Sequence, residues 1–346
     1  MRVVLVGTGM RPIPPVGYGG VERTVTELAV ALRASGDEVD VVHEVHPYRA
    51  GEIVFALRLG RYRDRLARGV VHAHTPVVAR RLHRMGVPYV YTTHSRHWFV
   101  RRGWTQRRGF RLERMAVAHA AATIALTPAV HRAIDLAMGG IPRGLEVTIP
   151  LGVDLKRFFP RGELGEPQTA LGVGAVVPVK RWEIAAAALE GTGIRLRLVG
   201  PITDRSYAEA VRKAGPVDLL GEIPDDRLLG EFARAALLVH PSAVELFPGA
   251  VAQALACGRP VVGGPPIAGT VGEGDGAWIV PPADRAAEVL AYRDRIVALC
   301  ADPEGRARAG RAARRYAEEH FDWQAVARAH RAVYARVGLS GTAGGD

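Results

Sequence analysis

The sequence has few cysteines, few lysines and no asparagine. Only two of its 346 residues are cysteine, Cys257 and Cys300, so neither a disulfide framework nor a cysteine metal site is predicted. Lysine occurs three times. The loss of asparagine is one trend of thermophilic proteins, although a GC-rich genome produces a similar bias toward arginine and alanine. This cysteine usage predicts a reducing, cytoplasmic environment.

Long apolar segments are missing as well. No run of about 18 uncharged apolar residues occurs, so no membrane-spanning helix is expected. The opening residues, MRVVLVGTGM, pass directly into a strand pattern and contain no signal-peptide cleavage site. Both absences favour a cytoplasmic protein and leave open a peripheral position at the inner face of the membrane.

The charge balance is basic. Lysine and arginine together number 46 against 35 acidic residues, which gives a net charge of +11 at pH 7. A nucleic acid, an anionic membrane surface or a small phosphorylated ligand would each fit that charge. Arginine is concentrated between tryptophan and phenylalanine in residues 96–115, which we interpret as a solvated face, with membrane or acceptor docking as the alternative. No nucleic-acid-binding module accompanies it, so nucleic acid is not an expected partner.

Strand and helix patterns alternate along the chain in two series. Short β-branched runs that end in glycine, such as residues 2–7 and 194–200, predict buried parallel strands, and the amphipathic patterns between them predict an α/β protein. In such sheets ligands bind beyond the carboxyl ends of the strands. The predicted organisation is a Rossmann-like domain over 1–157, a second over 158–320, a helix over 321–338 that packs back on the first domain, and a flexible tail over 339–346.

Several short motifs resemble those of one enzyme family. In chain order they are PPVGYGGVERTVTELAVAL, VVHAHTP, PYVYTTHS, IPLGVDLKRFFP, VPVKRWEIAAAAL, ELFPGAVAQALACGRPVV and HFDWQAVARAHRAVY. Their order and spacing over nearly the whole chain resemble the retaining glycosyltransferases of family 4. The resemblance implies the α/β GT-B fold, with two doubly wound Rossmann-like domains facing a central cleft. It also implies sugar transfer from a nucleotide diphosphate sugar without a cofactor or a bound metal.

Two glycines and two basic residues are predicted to bind the donor phosphates. Gly19 and Gly20 precede a helix, where backbone N–H groups approach a phosphate and the helix dipole favours an anion; a plain turn is the alternative. Lys180 and Arg181 follow a predicted strand and would stabilise charge on the departing diphosphate. By the resemblance, Lys180 is the family's phosphate-binding lysine. Ala175 stands where the family usually has arginine, so one phosphate contact is missing or comes from another residue such as Arg181.

The stretch ELFPGAVAQAL places an acidic residue and a Phe-Pro-Gly turn before a helix. Pro248 suits the first helical turn, and the N–H groups of Gly249 and Ala250 are predicted to receive a phosphate or sugar oxygen. By the resemblance, Glu245 contacts the donor sugar near its anomeric carbon, and Phe247 belongs to the same donor-binding turn.

Gln253 takes the position of the family's second glutamate, which binds the ribose hydroxyls of the donor. An amide accepts and donates hydrogen bonds but carries no charge, so weaker ribose binding is expected. A polar residue on the solvated side of the helix is the alternative interpretation.

Three histidines lie at the ends of predicted strands. By the resemblance, His94 lies near the donor sugar, where it would hydrogen-bond a hydroxyl or orient the acceptor; a buried structural histidine is the alternative. His72 and His74 alternate along one strand and therefore face the same way. No third ligand is evident beside them, so no metal site is predicted.

These residues predict a retaining hexosyltransferase with Glu245, His94 and Lys180 as catalytic residues. The donor would be UDP-, ADP- or GDP-linked, UDP-glucose among them, and the acceptor a free sugar such as glucose, a small metabolite or a lipid-linked glycan. No second carboxylate appears at glycosidase-like spacing, which favours same-face displacement with Glu245 as a positioning residue.

Two other functions stay open. One is a protein that binds a nucleotide sugar without turnover, and Ala175 and Gln253 are the features that keep this alternative open. The other is a nucleotide-sugar epimerase or phosphorylase of the same fold. Monomer and homodimer are both compatible with the sequence.

Overall fold

The chain folds into two compact units. The structure is a computed structural model that describes residues 1–15, 19–46, 50–99, 103–162, 165–274 and 276–341. Unit 1 comprises Met1–Gly152 together with Trp323–Asp346, and unit 2 comprises Val153–Asp322. The division between the units lies a few residues before the predicted one at 157/158. Helix continues through Gly341, inside the predicted tail, and residues 342–346 lie outside the described part of the chain.

The strands are short and parallel, as expected for buried α/β sheets. Those in the described residues are β1 (Arg2–Val6), β2 (Glu38–Val42), β3 (Val70–Ala73), β4 (Val90–Thr92), β5 (Ala122–Ala125), β6 (Leu145–Thr148), β7 (Glu166–Val173), β8 (Arg195–Val199), β9 (Val217–Gly221), β10 (Ala235–His240), β11 (Val261–Gly263) and β12 (Ala277–Ile279).

Helices follow most of the strands. Those in the described residues are α1 (Gly20–Ala34), α2 (Gly51–Arg58), α3 (Arg63–Leu66), α4 (Pro76–Arg84), α5 (Trp104–Ala118), α6 (Pro128–Met138), α7 (Trp182–Leu189), α8 (Arg205–Ala214), α9 (Asp225–Arg234), α10 (Gly249–Ala256), α11 (Arg285–Ala301), α12 (Pro303–His320) and α13 (Trp323–Gly341). None of these helices has both the length and the apolar character that a bilayer crossing requires.

The sheet of unit 1 has the strand order β2-β1-β3-β4-β5-β6. The order reverses between β1 and β3, so the loops after these two strands leave the sheet in opposite directions. Such a switch point is where open α/β sheets bind ligands. The loop after β1 leads to Gly19 and Gly20, and β3 is followed by His74.

Helix α13 completes the core of unit 1. Val326, Val333 and Tyr334 of α13 are buried in one apolar cluster with Val25 and Leu28 of α1. The last helix therefore packs on the first, although more than 280 positions separate them in the chain. Apolar burial of this kind contributes roughly 25 cal/mol per Å².

The sheet of unit 2 has the strand order β12-β11-β10-β7-β8-β9. Read from β9, this is the 3-2-1-4-5-6 order of dinucleotide-binding sheets, and the switch point lies between β7 and β10. Gly174 follows β7, and Gly200 follows the neighbouring strand β8. A Cβ on Gly200 would lie 2.1 Å from the carbonyl oxygen of Gly174, so glycine is required for the loops after β7 and β8 to approach this closely. The predicted α/β class, with two doubly wound sheets, is confirmed.

Candidate functional site

Lys180 and Glu245 form an ion pair at the switch point of unit 2. Lys180 follows β7 and Glu245 follows β10, and these strands are neighbours in the sheet. The Nζ atom of Lys180 lies 2.5 Å from Oε1 of Glu245. The same oxygen lies 2.8 Å from Nε2 of His240, the last residue of β10. Residues 65 positions apart in the sequence therefore meet at one carboxylate oxygen.

Backbone bonds hold the two loops of this cluster together. The Ala243 N–H donates to the Val179 carbonyl at 2.9 Å. Within the Glu245 loop itself, the hydroxyl of Ser242 donates to the Val244 carbonyl at 3.1 Å. The loop that carries Glu245 is thus fastened to the loop that carries Lys180, which fixes the carboxylate without help from a ligand.

Glu245 is ionised at neutral pH. Burial by itself would raise the pKa of this carboxyl, but the hydrogen bond and charge of His240, together with Lys180, lower it to about 2. Both contacts go to Oε1, which leaves Oε2 to accept hydrogen bonds from a hydroxylated ligand. The group is consequently a fixed negative charge and a hydrogen-bond acceptor.

Arg181 is already engaged within unit 2. Its guanidinium donates to the carboxylate of the buried Glu288 on α11, and this bond raises the pKa of Arg181. Arg181 also adopts the left-handed backbone conformation, with φ of 56°. At position 175 the carbonyl oxygen accepts from the indole N–H of Trp182 at 2.9 Å. In this structure, therefore, the arginine next to Lys180 is held by Glu288.

The first turn of α10 differs in detail from the prediction. The Gly249 N–H donates to the Phe247 carbonyl at 3.0 Å, and the Val251 N–H donates to Pro248 at 2.9 Å. Ala250 contributes no backbone bond of this kind within the described residues. A Cβ on Gly249 would meet nothing within 4 Å, so there is space for a ligand in front of this turn.

Gln253 lies one helical turn beyond Gly249 on the same face of α10. It is half-buried, and its side-chain amide makes no hydrogen bond within the described part of the chain. The amide is therefore available both as donor and as acceptor. The phosphate and ribose roles predicted for the α10 residues stay predictions.

In unit 1, the three predicted histidines meet at the ends of β3 and β4. Nδ1 of His74 lies 3.2 Å from Nε2 of His94, and the rings of His72 and His74 are 4.2 Å apart. His72 also contacts Tyr334 and Thr92, each at 2.8 Å. Burial lowers the pKa of His94 to about 4 and those of His72 and His74 well below their usual value, so all three are neutral at pH 7.

Gly19 and Gly20 lie at the start of α1. Gly19 occupies the N-cap position and so provides no side-chain cap; a Cβ on Gly20 would meet nothing within 4 Å. The Thr8 hydroxyl donates to the buried carboxylate of Glu22 in the first turn, which ties the loop after β1 to this helix. The N-terminus of α1 is thus open on the side of Gly20. Residues 16–18 of the predicted glycine loop lie outside the described residues.

Two family profiles match the chain. The profile described as "Glycosyltransferase Family 4" matches residues 18–157, and the one described as "Glycosyl transferases group 1" matches residues 172–302. The chain belongs to glycosyltransferase family 4. The glycine loop of this glycosyltransferase lies in the first match, and the Lys180–Glu245 pair lies in the second.

The chain is also similar to two enzymes of Mycobacterium tuberculosis. The glycogen synthase of Mycobacterium tuberculosis (strain ATCC 25618 / H37Rv) is 26% identical over an alignment of 401 positions, which spans 96% of this chain and 94% of that enzyme. The "GDP-mannose-dependent alpha-(1-6)-phosphatidylinositol dimannoside mannosyltransferase" of M. tuberculosis (strain ATCC 25177 / H37Ra) is 33% identical over 213 residues, or 56% of this chain and 53% of that enzyme.

The fold itself matches that of known glycosyltransferases. The solved structure of sucrose-phosphate synthase from Thermosynechococcus elongatus superposes with a TM-score of 0.81 at 22% identity, over 98% of this chain and 99% of that one. This likeness confirms the GT-B fold of the glycosyltransferase.

Sequence reasoning missed His240 in this glycosyltransferase. It is fully buried, its ring lies edge-on to Trp182 at 6.3 Å, and it donates to Glu245. The available signal was the same as for His94: a polar residue that ends a buried strand, in ALLVHPS. It was overlooked because the partner of His240 lies in the following loop and only the folded loop turns Glu245 back toward the strand.

A group of possible metal ligands also occurs in unit 1 of the glycosyltransferase. Ligand atoms of His131, Asp135 and Glu146 lie within 4.8 Å of one another. Arg143 bridges both carboxylates, at 3.1 Å from Asp135 and 2.9 Å from Glu146. The arginine already supplies the positive charge that a metal ion would bring, so we interpret the group as an ion-pair network.

Proposed function

We propose that this glycosyltransferase is a retaining hexosyltransferase that uses a nucleotide diphosphate sugar. The observation that carries the proposal is the convergence of Lys180 and His240 on Glu245 at the switch point of unit 2. That position, beyond the carboxyl ends of β7 and β10, is where such sheets bind nucleotides. Glu245 would accept hydrogen bonds from the hexose, and Lys180 would neutralise the departing diphosphate.

The ion pair suggests how Lys180 changes partners. Without a ligand, its ammonium group rests on Glu245. A diphosphate carries more negative charge than one carboxylate, so a bound donor would draw Lys180 toward the phosphates and leave His240 to hold Glu245. A cation placed where negative charge develops stabilises the transition state more than the ground state. The acceptor's proton would pass to the departing phosphate oxygen, without a protein nucleophile or a metal ion.

The positions at which this chain differs from the family pattern are expected to affect its affinity for the donor. Ala175 removes one cationic phosphate contact, and Arg181 is bound to Glu288, so Lys180 is the basic residue on which we expect phosphate stabilisation to depend most. Gln253 would bind the ribose as a neutral partner. We therefore expect a high KM for the donor. The same features keep open a protein that binds the donor without turnover.

Turnover of a donor panel tests the proposal. UDP-glucose, ADP-glucose and GDP-mannose would each be incubated with enzyme, with and without EDTA, while nucleoside diphosphate release is measured. We expect release from at least one donor, unaffected by EDTA. Lys180→Ala and Glu245→Ala should each reduce kcat at least about 100-fold, as loss of one transition-state contact does in other enzymes. Lys213→Ala is the matched control, because Lys213 is an exposed lysine of the same unit.

The anomer released into water identifies the stereochemistry. Proton NMR before mutarotation should show the α-anomer from an α-linked donor. Release of the β-anomer would contradict retention, and donor binding without turnover would favour the binding protein. Interconversion of donor sugars, or sugar 1-phosphate formed in added phosphate, would favour the epimerase or phosphorylase alternative.

We further propose that the acceptor is presented at an anionic membrane surface. Ile53 and Leu57 of α2 and Trp104 of α5 are large apolar residues with half or more of their surface exposed. Arg108 lies over the Trp104 ring at 5.7 Å. The groove between these helices, of about 290 Å³, is bordered by arginines of α4 and α5, namely Arg80, Arg81, Arg84 and Arg108. An apolar groove ringed by cations fits anionic lipid headgroups with their acyl chains.

Vesicle sedimentation separates this acceptor class from a soluble one. The enzyme should pellet with phosphatidylglycerol vesicles and not with phosphatidylcholine vesicles. Trp104→Ala and Arg108→Ala should weaken binding, whereas Arg212→Ala, an exposed arginine of unit 2, should leave it unchanged. No binding to phosphatidylglycerol, or the same loss in all three variants, would favour a free sugar or another soluble acceptor. Residues 100–102 of the arginine-rich segment lie outside the described residues.

A further inference from the structure

Unit 2 contains a pocket at the end of the sheet opposite to the proposed donor site, near the amino ends of the strands. It has a volume of about 620 Å³ and is lined by Pro160, residues 258–260 and residues of α12 between Arg306 and Arg315. Pro260 immediately precedes β11, so the pocket lies by the amino end of that strand. Lys180 and Glu245 lie beyond the carboxyl ends of β7 and β10. The pocket is therefore separate from the proposed donor site.

The ionisable residues that line this pocket are all arginines. They are Arg259, Arg306, Arg311, Arg314 and Arg315, and no carboxylate lines it. Four of the five lie on α12, where positions 311 and 315 are one turn apart and so face the same side. Like charges at this spacing destabilise a helix. The chain thus gathers positive charge here against the preference of the helix itself.

Backbone carbonyl oxygens hold two of the inner arginines, Arg306 and Arg314. Arg306 is almost fully buried, and its Nη1 donates to the carbonyls of Leu299 and Cys300 at 2.9 and 2.8 Å. Arg314 Nη1 donates to the carbonyls of Phe158 and Ala256 at 2.9 and 2.8 Å. Carbonyl bonds fix the position of a guanidinium and leave its charge unchanged.

In the described part of the chain, a carboxylate outside the lining also contacts Arg314. Glu318 accepts from Nε of Arg314 at 2.7 Å. Arg259 is buried beside this group. Its pKa is lowered by burial first and then by the charge of Arg306.

Arg311 and Arg315 are the exposed cations of the rim. Within the described residues neither forms an ion pair or a side-chain hydrogen bond. Arg308, on the same helix, behaves differently: it lies near Asp302 and Glu304. The two rim arginines therefore have their N–H donors available for a ligand, while their neighbour faces acidic partners.

The walls between the arginines are small and apolar. Pro160, Pro260 and Ala307 line them, together with two glycines that let α12 come close to the end of α10. A Cβ on Gly310 would lie 2.5 Å from the Gly258 carbonyl oxygen. The volume is within the range of small-molecule sites, which are apolar with a few charged groups. A bare anion would leave most of this space unused.

We propose that the arginine pocket of unit 2 binds a small phosphate ester, with the phosphate on Arg311 and Arg315 and the organic part against the proline and glycine walls. A phosphate dianion matches several converging guanidinium groups, each of which donates two parallel hydrogen bonds. This ligand is distinct from the nucleotide sugar, and the inference does not depend on the proposed transfer reaction.

Calorimetric titration of the full-length protein tests this site. The probes are inorganic phosphate, ribose 5-phosphate and, as the uncharged counterpart, ribose. Ribose 5-phosphate should bind more tightly than phosphate, and ribose should not bind. The double variant Arg311→Ala/Arg315→Ala should weaken ribose 5-phosphate binding at least about ten-fold, the effect of losing one charged hydrogen bond. Both side chains are exposed, so the variant should fold, and circular dichroism checks this.

Two further variants separate this pocket from other sites. Arg308→Ala removes the same charge from the same helix outside the pocket, and Lys180→Ala removes the proposed phosphate contact of the donor site. Binding should be unchanged in both. The proposal is overturned if neither phosphate probe binds at millimolar concentration, if ribose 5-phosphate binds no better than phosphate, or if Arg308→Ala or Lys180→Ala loses as much binding as the double variant. Binding of duplex DNA or heparin in place of both small probes would also overturn it.

Discussion

The substitution Glu245→Gln should destabilise unit 2 by about 3 kcal/mol at pH 7. Burial alone would raise the pKa of Glu245, yet His240 and Lys180 bring it to about 2, against an ordinary value of 4.5. One pKa unit corresponds to about 1.4 kcal/mol, so the ionised form gains about 3 kcal/mol on folding. Only a tenth of the side chain is exposed, so solvent screens this little. Glutamine mimics the protonated acid, and Glu245→Gln therefore removes all of the stabilisation that the ionised carboxylate contributes.

The pH dependence of this effect has a definite sign. A carboxyl whose pKa is lower in the folded state stabilises the protein above its unfolded pKa, and that stabilisation declines as the pH falls toward the folded pKa. The difference between wild type and Glu245→Gln should therefore shrink by about 1 kcal/mol between pH 7 and pH 4. Below about pH 2 it should vanish.

Native-state hydrogen exchange measures the difference in stability of unit 2 between wild type and Glu245→Gln. Peptides from β10 and α10 would be followed by mass spectrometry in both proteins, so that unfolding of unit 1 does not interfere. Glu222→Gln is the control, because Glu222 is exposed and should change stability by less than about 0.5 kcal/mol. Equal stability of wild type and Glu245→Gln at pH 7, or a difference that grows on acidification, would refute the reasoning.

Unit 1 yields two further predictions. Burial raises the pKa of Glu113 to about 7, so the stability of unit 1 should fall as the pH rises from about 4.5 through 7. Glu113→Gln should therefore be more stable than wild type at pH 8, by up to about 3 kcal/mol. Urea unfolding at pH 5 and pH 8 measures this difference, and the same pH dependence in both proteins would contradict the prediction. Burial lowers the pKa of both His94 and His330 to about 4, so unit 1 should lose stability as the pH falls from about 6.5 through 4. Hydrogen exchange of the β3 and β4 amides measures this loss, and amide protection that stays constant over this pH range would contradict the prediction.

The fold was predictable because its signals are local. Short β-branched runs closed by glycine and separated by amphipathic segments predict parallel strands and helices without knowledge of contacts. Lys180 and Glu245 were found for a related reason: each follows such a strand, and the carboxyl ends of parallel strands share one edge. The family resemblance then indicated which of the polar strand-end residues to compare.

The engagement of individual side chains was not predictable in the same way. Arg181 was a candidate phosphate ligand, but its partner Glu288 lies 107 positions further along the chain. Gly249 was expected to offer a free N–H group, yet this group donates to the carbonyl of Phe247, two residues earlier in the chain. Such contacts depend on loop geometry and on helices that approach from distant parts of the chain.

By itself, the sequence determined which residue types lie beyond the carboxyl ends of the strands in each sheet, because strand length and the position of glycine and proline are local properties. The tertiary structure alone decided which of them meet. The strand order puts β7 beside β10, and so Lys180 beside Glu245, and the turn after β10 brings that carboxylate back to His240. It likewise brings Pro160, the end of α10 and α12 together around five arginines. Strand order and helix packing are settled by burial over the whole unit, which no short stretch of sequence contains.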